Sequence, residues 1–304
     1  MRTEQQLLME RQDERPVTIQ PSTPGIHTIL LHILDDEFHD QRIDNGLALA
    51  RACSAHLSCL HVTPIEAYVA SDTFGGIFVM NDVMRKLDER DNELRKKVEQ
   101  RLAKEDVSWD YEQVTGNVAA TIIGRAALAD LLVTARQPRR ADFVGPTVGF
   151  IGDLLQSART PLFIPTFDGP SFDAAGTAVI AWDGSVEAAN AVRASLGLLE
   201  LAKEVLIVEI PERRDGNSKL FPGTKVLEYL SRQGVHAELT VEQPPSGDAG
   251  PDVVADMLVA RAGGAGAAYI VMGGYSHTRI GEYVFGGVTR TLLTECPLPL
   301  VIAH

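Results

Sequence analysis

The glycines Gly273, Gly274, Gly286 and Gly287 are the residues whose type and spacing most suggest chemistry in this chain. They follow the apolar run Tyr269-Ile270-Val271-Met272, which suits a buried parallel strand. They precede Val288 to Thr294, which reads as the start of a helix. Glycine at a strand-to-helix junction lets the backbone approach a ligand closely. A helix N-terminus adds unpaired N–H groups and a dipole that favours phosphate. The stretch is therefore a candidate phosphate cradle, although ordinary turn glycines account for the spacing equally well.

A second candidate group, Asp183-Gly184-Ser185, ends the apolar run that begins at Thr177. In a doubly wound sheet, ligands bind beyond the carboxyl ends of the strands, at the switch point in strand order. An Asp at that point can accept from ribose hydroxyls, and Gly184 allows a close backbone approach. Asp183 and Ser185 also suit a plain helix N-cap. His277 and Arg279, between the two glycine groups, could contact phosphates or could be exposed loop residues.

The glycine stretch resembles the nucleotide signature of the universal stress protein family, in which Gly, two residues, Gly, nine residues and Gly are followed by Ser or Thr. Gly273 and Gly286 fill the first and third positions; Ser276 stands in place of the second Gly, and Gly287 in place of the hydroxyl residue. The resemblance implies a site made by Asp183, Gly184, Met272, Gly273, Ser276, Gly286, Gly287, Val288 and Thr289, holding ATP or another adenine nucleotide. A serine at 287 should then add a phosphate contact, unless Thr289 already supplies one. The resemblance further implies a stress-response protein with weak ATPase activity at most. Two other readings compete: an interaction module that binds no nucleotide, and a nucleotide-dependent enzyme. Against the enzyme, the chain has no Ser-His-Asp order, H-E-x-x-H or Walker lysine.

The elements that must position these residues occur twice. Thr160-Pro161-Leu162-Phe163-Ile164-Pro165 aligns with Leu298-Pro299-Leu300-Val301-Ile302-Ala303, and strand and helix patterns alternate in each half. In that alignment Ala135 takes the place of Gly273 and Val148 that of Gly286, while Gly149 keeps its counterpart Gly287. The expected architecture is α/β: two tandem Rossmann-like domains of the adenine nucleotide alpha hydrolase-like kind. Each is a five-stranded, mainly parallel sheet of order 3-2-1-4-5 flanked by helices. Residues 25–167 form the domain that has lost the glycines, residues 175–304 the one that keeps them in part, and residues 1–24 a flexible tail. Each half ends in a short apolar strand that would lie at a sheet edge. Antiparallel pairing of these two strands predicts an intramolecular pseudo-dimer, and homo-oligomers are a further expected state.

Composition narrows the function. A length of 304 residues suggests about two domains. A net charge of −13 argues against a nucleic-acid surface. Cys53, Cys59 and Cys296 form no C-x-x-C pair, which suits buried thiols in a reducing compartment. The histidines His27, His32, His39, His56 and His61 match no metal motif. Asp35, Asp36 and Glu37 would repel a triphosphate in the first half. The N-terminus lacks a signal-peptide core, and no apolar run is long enough to span a bilayer, so a cytoplasmic protein with no membrane partner is expected.

Overall fold

The structure, a computed structural model, describes residues 25–64, 77–135, 148–166, 171–211, 221–245, 250–274 and 287–304, with backbone alone for 77–83 and 148. The first half runs β1 (Thr28–Ile33), α1 (His39–Cys53), β2 (His56–Pro64), α2 (Ile77–Leu102), β3 (Trp109–Gly116), α3 (Val118–Ala126), β4 (Leu131–Val133), α4 (Val148–Ala158) and β5 (Leu162–Ile164). The second half repeats the plan. Its elements are β6 (Thr177–Trp182), α5 (Val186–Ala194), the short α6 (Leu196–Leu199), β7 (Glu204–Glu209), α7 (Gly223–Arg232), β8 (Ala237–Val241), α8 (Pro251–Gly264), β9 (Ala267–Gly273), α9 (Gly287–Glu295) and β10 (Leu300–Ala303).

The strands form one ten-stranded sheet in the order β3-β2-β1-β4-β5-β10-β9-β6-β7-β8. Each half therefore has the order 3-2-1-4-5, as expected, with parallel neighbours throughout. The halves meet where β5 and β10 pair antiparallel, with Val301 opposite Phe163. The central strands are apolar at nearly every position because helices cover both faces; β1, for example, reads Thr-Ile-Leu-Leu-His-Ile and is almost wholly buried. The core is two clusters, one per face, and each continues from one half into the other.

Aromatic packing reinforces that junction. Phe172 stands edge-on to Phe163 of β5 at 4.7 Å and to Tyr269 of β9 at 5.3 Å. Its backbone N–H donates to Asn45 Oδ1 of α1, a bond of 3.2 Å, and the Tyr269 hydroxyl donates to the Leu198 carbonyl at 3.1 Å.

Two element boundaries differ from the sequence pattern. The first helix starts at His39, six residues ahead of the apolar spacing near Asn45, because it begins in a polar turn that its own side chains hold. The helical stretch after β6 breaks at buried Ser195, which ends α5 and starts α6. Among the described residues no helix is long and apolar enough to cross a membrane.

Candidate functional site

β6 and β9 run side by side, with Ala181 opposite Met272 as the last paired residues. α5 returns on one face, its Ala188, Ala191 and Val192 packed in the cluster that holds Ile180 and Val271. α9 returns on the other, its Leu292 and Leu293 packed with Val179, Ile270 and Met272. This is the switch point in strand order, with helices leaving to opposite faces, and a doubly wound sheet takes its ligands in the crevice there.

Asp183 and Gly184 form the floor on the β6 side. Asp183 is exposed, and its Oδ1 accepts from the Ser185 backbone N–H at 2.9 Å and from the Ser185 hydroxyl at 2.6 Å. Ser185 Oγ in turn accepts from Ala188 N at 3.1 Å, the N-cap of α5. Gly184 takes φ 78, the left-handed region that disfavours any β carbon. The geometry shows the helix cap that the sequence allowed. Ser185 caps the helix, and Asp183 braces Ser185 with one oxygen while Oδ2 has no partner among the described residues.

The β9 side corrects the sequence reading of two glycines. A β carbon on Gly273 would lie 2.6 Å from Ala188 N and 2.8 Å from the Glu187 carbonyl carbon. These are backbone atoms of the first turn of α5, so Gly273 is needed for helix packing whether or not a ligand binds. Gly287 is exposed at the start of α9, but a β carbon there would come closer than 3.0 Å to the ring of Pro251, the first residue of α8. A serine at 287 therefore has no room, which overturns the expectation that it would simply add a phosphate contact. Met272 and Thr289 are buried, Met272 in the core beside Leu292, and Val288 is half-buried. The Thr289 side chain lies on the buried face of α9 with Leu292 and Leu293, so it is not a ready substitute for the missing hydroxyl. Ser276, Gly286, His277 and Arg279 lie outside the described residues.

Two residues at the crevice carry no sequence signal. Glu187, in the first turn of α5, has Oε2 buried and without a hydrogen-bond partner among the described residues. Phe221 is 41% exposed and hydrogen-bonds the turn through its backbone: its N–H donates to the Gly184 carbonyl at 3.2 Å, and its carbonyl accepts from Trp182 Nε1 at 3.1 Å. A lone aromatic residue shows no periodicity, so only the fold reveals its neighbour.

At the equivalent place in the first half, the carboxyl ends of β1 and β4, the chain's own side chains meet. His32 is buried, shares a hydrogen bond of 3.2 Å between Nδ1 and Thr134 Oγ1, and has its ring 6.0 Å from that of Phe150. Burial first, then the charges of Arg42 and His61, lowers its pKa to about 3, so the ring is neutral. The neighbouring acids do not act as bare charges. Arg42 donates to both oxygens of Asp36, at 3.2 and 2.9 Å, and to the Leu34 carbonyl at 3.0 Å. Arg90 Nε donates to Asp35 at 2.7 Å. Asp35 and Asp36 are thus each paired with an arginine of the chain. His61 faces the Ile33 carbonyl and Asp91, and Thr63 also donates to Asp91, so this histidine serves to dock α2. Among the described residues no cluster of His, Cys, Asp and Glu could hold a metal ion.

No protein-family model matches the sequence, and no curated protein matches it. Solved structures do. A universal stress protein from Archaeoglobus fulgidus superposes with a TM-score of 0.69 at 14% identity, over 91% of this chain and 97% of that chain. A Pseudomonas aeruginosa protein provisionally assigned to the same family gives 0.57 at 16% identity, over 91% and 93%. A functionally unknown protein from Pseudomonas aeruginosa gives 0.55 at 15% identity, over 91% and 92%. The class defined by these likenesses is an α/β protein of two Rossmann-like halves. The chain has the universal stress protein fold in its tandem form.

Proposed function

We propose that this protein is a nucleotide-responsive regulatory protein of the stress-response type, and that it holds ATP or another adenine nucleotide in the crevice of the second half. The observation that carries this reading is the exposed Asp183 just beyond the last paired residues of β6 and β9, with a positive-φ glycine next to it. Its second carboxylate oxygen would accept from ribose hydroxyls. The phosphates would go to α9 rather than α5. In α5 the Ala188 N–H is taken by Ser185 and Gly273 packs over the first turn, whereas the first residue of α9 is exposed. Ser276 and Gly286 are further candidates for contacts to the phosphates. The first half acts as a scaffold, and the paired β5 and β10 make the chain an intramolecular pseudo-dimer. A cytoplasmic location suits the absence of any need for an oxidised thiol, since the cysteines are free.

The test is titration of purified protein with ATP, with mass spectrometry of any ligand released on denaturation. Asp183→Ala should weaken ATP binding by about 1.5–3 kcal/mol, the usual range for hydrogen bonds to a charged group. A bulky residue at Gly286 should abolish binding. Wild-type protein that neither carries nor binds a nucleotide would overturn the proposal.

A second reading has its own observation. Packing against Glu187, Ala188 and Pro251 explains Gly273 and Gly287 without a ligand. A ligand-free interaction module would keep both glycines, and the same titration separates the two readings.

A further inference from the structure

We propose that Phe221 is the platform on which the base of the bound nucleotide stacks, so that the site selects a ligand carrying a flat aromatic heterocycle over polyphosphate alone. This inference rests on the nucleotide reading above and goes beyond it by naming what recognises the base.

Phe221 is the one aromatic among the exposed large hydrophobic side chains of the described residues. A single exposed apolar residue needs no explanation in general, and Leu128, 92% exposed in a surface turn, is such a case. Phe221 differs in how it is held. Its N–H and its carbonyl both bond to the β6 end, one to Gly184 and one to the indole of buried Trp182. Its segment is also fixed on the β7 side. Gly223 N donates to Glu209 Oε2 at 3.1 Å, and a β carbon on Gly223 would lie 2.6 Å from that oxygen and 2.8 Å from a Leu239 methyl. Two strands thus lock the backbone of Phe221 while its ring remains exposed.

The position follows from the same bonds. Gly184, which accepts from Phe221, is the residue after Asp183. If Asp183 holds the ribose, the base lies one glycosidic bond away, within reach of a ring anchored at Gly184. Val186, also exposed and the first residue of α5, adds apolar surface beside the turn. Stacking needs only a π-face, so it discriminates heterocycle from no heterocycle more strongly than one base from another. A site anchored in this way loses little order when it binds.

The experiment is calorimetric titration of the full chain with ATP and, separately, with inorganic tripolyphosphate, for the wild type and for Phe221→Ala, Phe221→Leu and Phe221→Trp. Phe221→Ala should weaken ATP binding roughly 5- to 100-fold, the range for losing one base-aromatic stack, and leave tripolyphosphate unchanged. Phe221→Trp should retain ATP binding, and Phe221→Leu should fall between. Equal ATP affinity in wild type and Phe221→Ala overturns the platform while leaving the nucleotide reading intact. Equal losses for ATP and tripolyphosphate in all three variants also overturn it, since the ring would then be shaping the loop. A wild type that does not bind ATP overturns both. Matching thermal melts of the variants establish that each is folded; should Phe221→Ala fail to fold, the comparison of Phe221→Leu with Phe221→Trp decides the same question.

Discussion

Gly287, the first residue of α9, packs against Pro251, the first residue of α8, with no space for a β carbon between them. A hydroxyl one turn further on strengthens this helix pair: Thr291 Oγ1 donates to Asp252 Oδ1 at 2.7 Å. The position that would carry a phosphate-binding hydroxyl in the family signature is therefore closed by helix packing. Gly287→Ser should destabilise the fold by about 1–3 kcal/mol, as overpacking does, and should not tighten ATP binding. Urea denaturation of Gly287→Ser with and without Pro251→Gly checks this, since the β carbon at 287 would meet both Cβ and Cγ of Pro251 and only glycine removes both. Tighter ATP binding at undiminished stability would show that the first turn of α9 can open.

One ring bridges the halves beside the paired β5 and β10. Phe172 bridges Phe163 in β5 and Tyr269 in β9. Phe172→Ala should cost about 3–5 kcal/mol, the usual loss for a buried Phe. Because the lost contacts lie between halves, the thermal transition should also broaden or split in differential scanning calorimetry. A small, uniform shift of a single sharp transition would mean that strand pairing alone couples the halves.

β10 lies between β5 and β9, so removing the first half bares one of its edges. That edge carries Leu300, Val301 and Ile302, all fully buried in the whole chain. Residues 171–304 expressed alone should therefore form homodimers or precipitate, since an exposed apolar edge recruits another strand. Light scattering measures the mass. A soluble, stable monomer would count against the pseudo-dimer as the source of stability.

His32 makes stability depend on acid. Its folded pKa is about 3, below the ordinary value of 6.5, because burial opposes the charged form. Below pH 6.5 the unfolded chain takes up a proton that the folded chain refuses, so its contribution is complete above 6.5 and is lost as pH falls toward 3. Between pH 7 and pH 5 the loss should be about 2 kcal/mol. His39, also lowered chiefly by burial, acts in the same direction. His32→Gln should flatten the pH dependence of urea-denaturation midpoints over this range by about that amount. An unchanged slope would mean that His32 is charged in the folded protein.

Alternation of apolar runs with helix-like segments, and its repetition in the two C-terminal strand motifs, made the α/β class and the doubling legible from residue order alone. Both signals are local: a strand covered on two faces has to be apolar throughout, as β6 and β9 are. The turn at Asp183 was legible for the same reason, because a cap is built from neighbours in sequence. The roles of Gly273 and Gly287 were not. A glycine looks alike in sequence whether it makes room for a ligand or for another helix, and only tertiary structure placed Ala188 and Pro251 where a β carbon would be. Phe221 and His32 are similar cases. Their settings depend on Gly184, Trp182 and Thr134, residues brought close by strand order rather than by spacing along the chain. Sequence by itself determined which elements form and that they form twice; the packing of those elements decided which of the suggestive residues face the crevice and which merely hold it together.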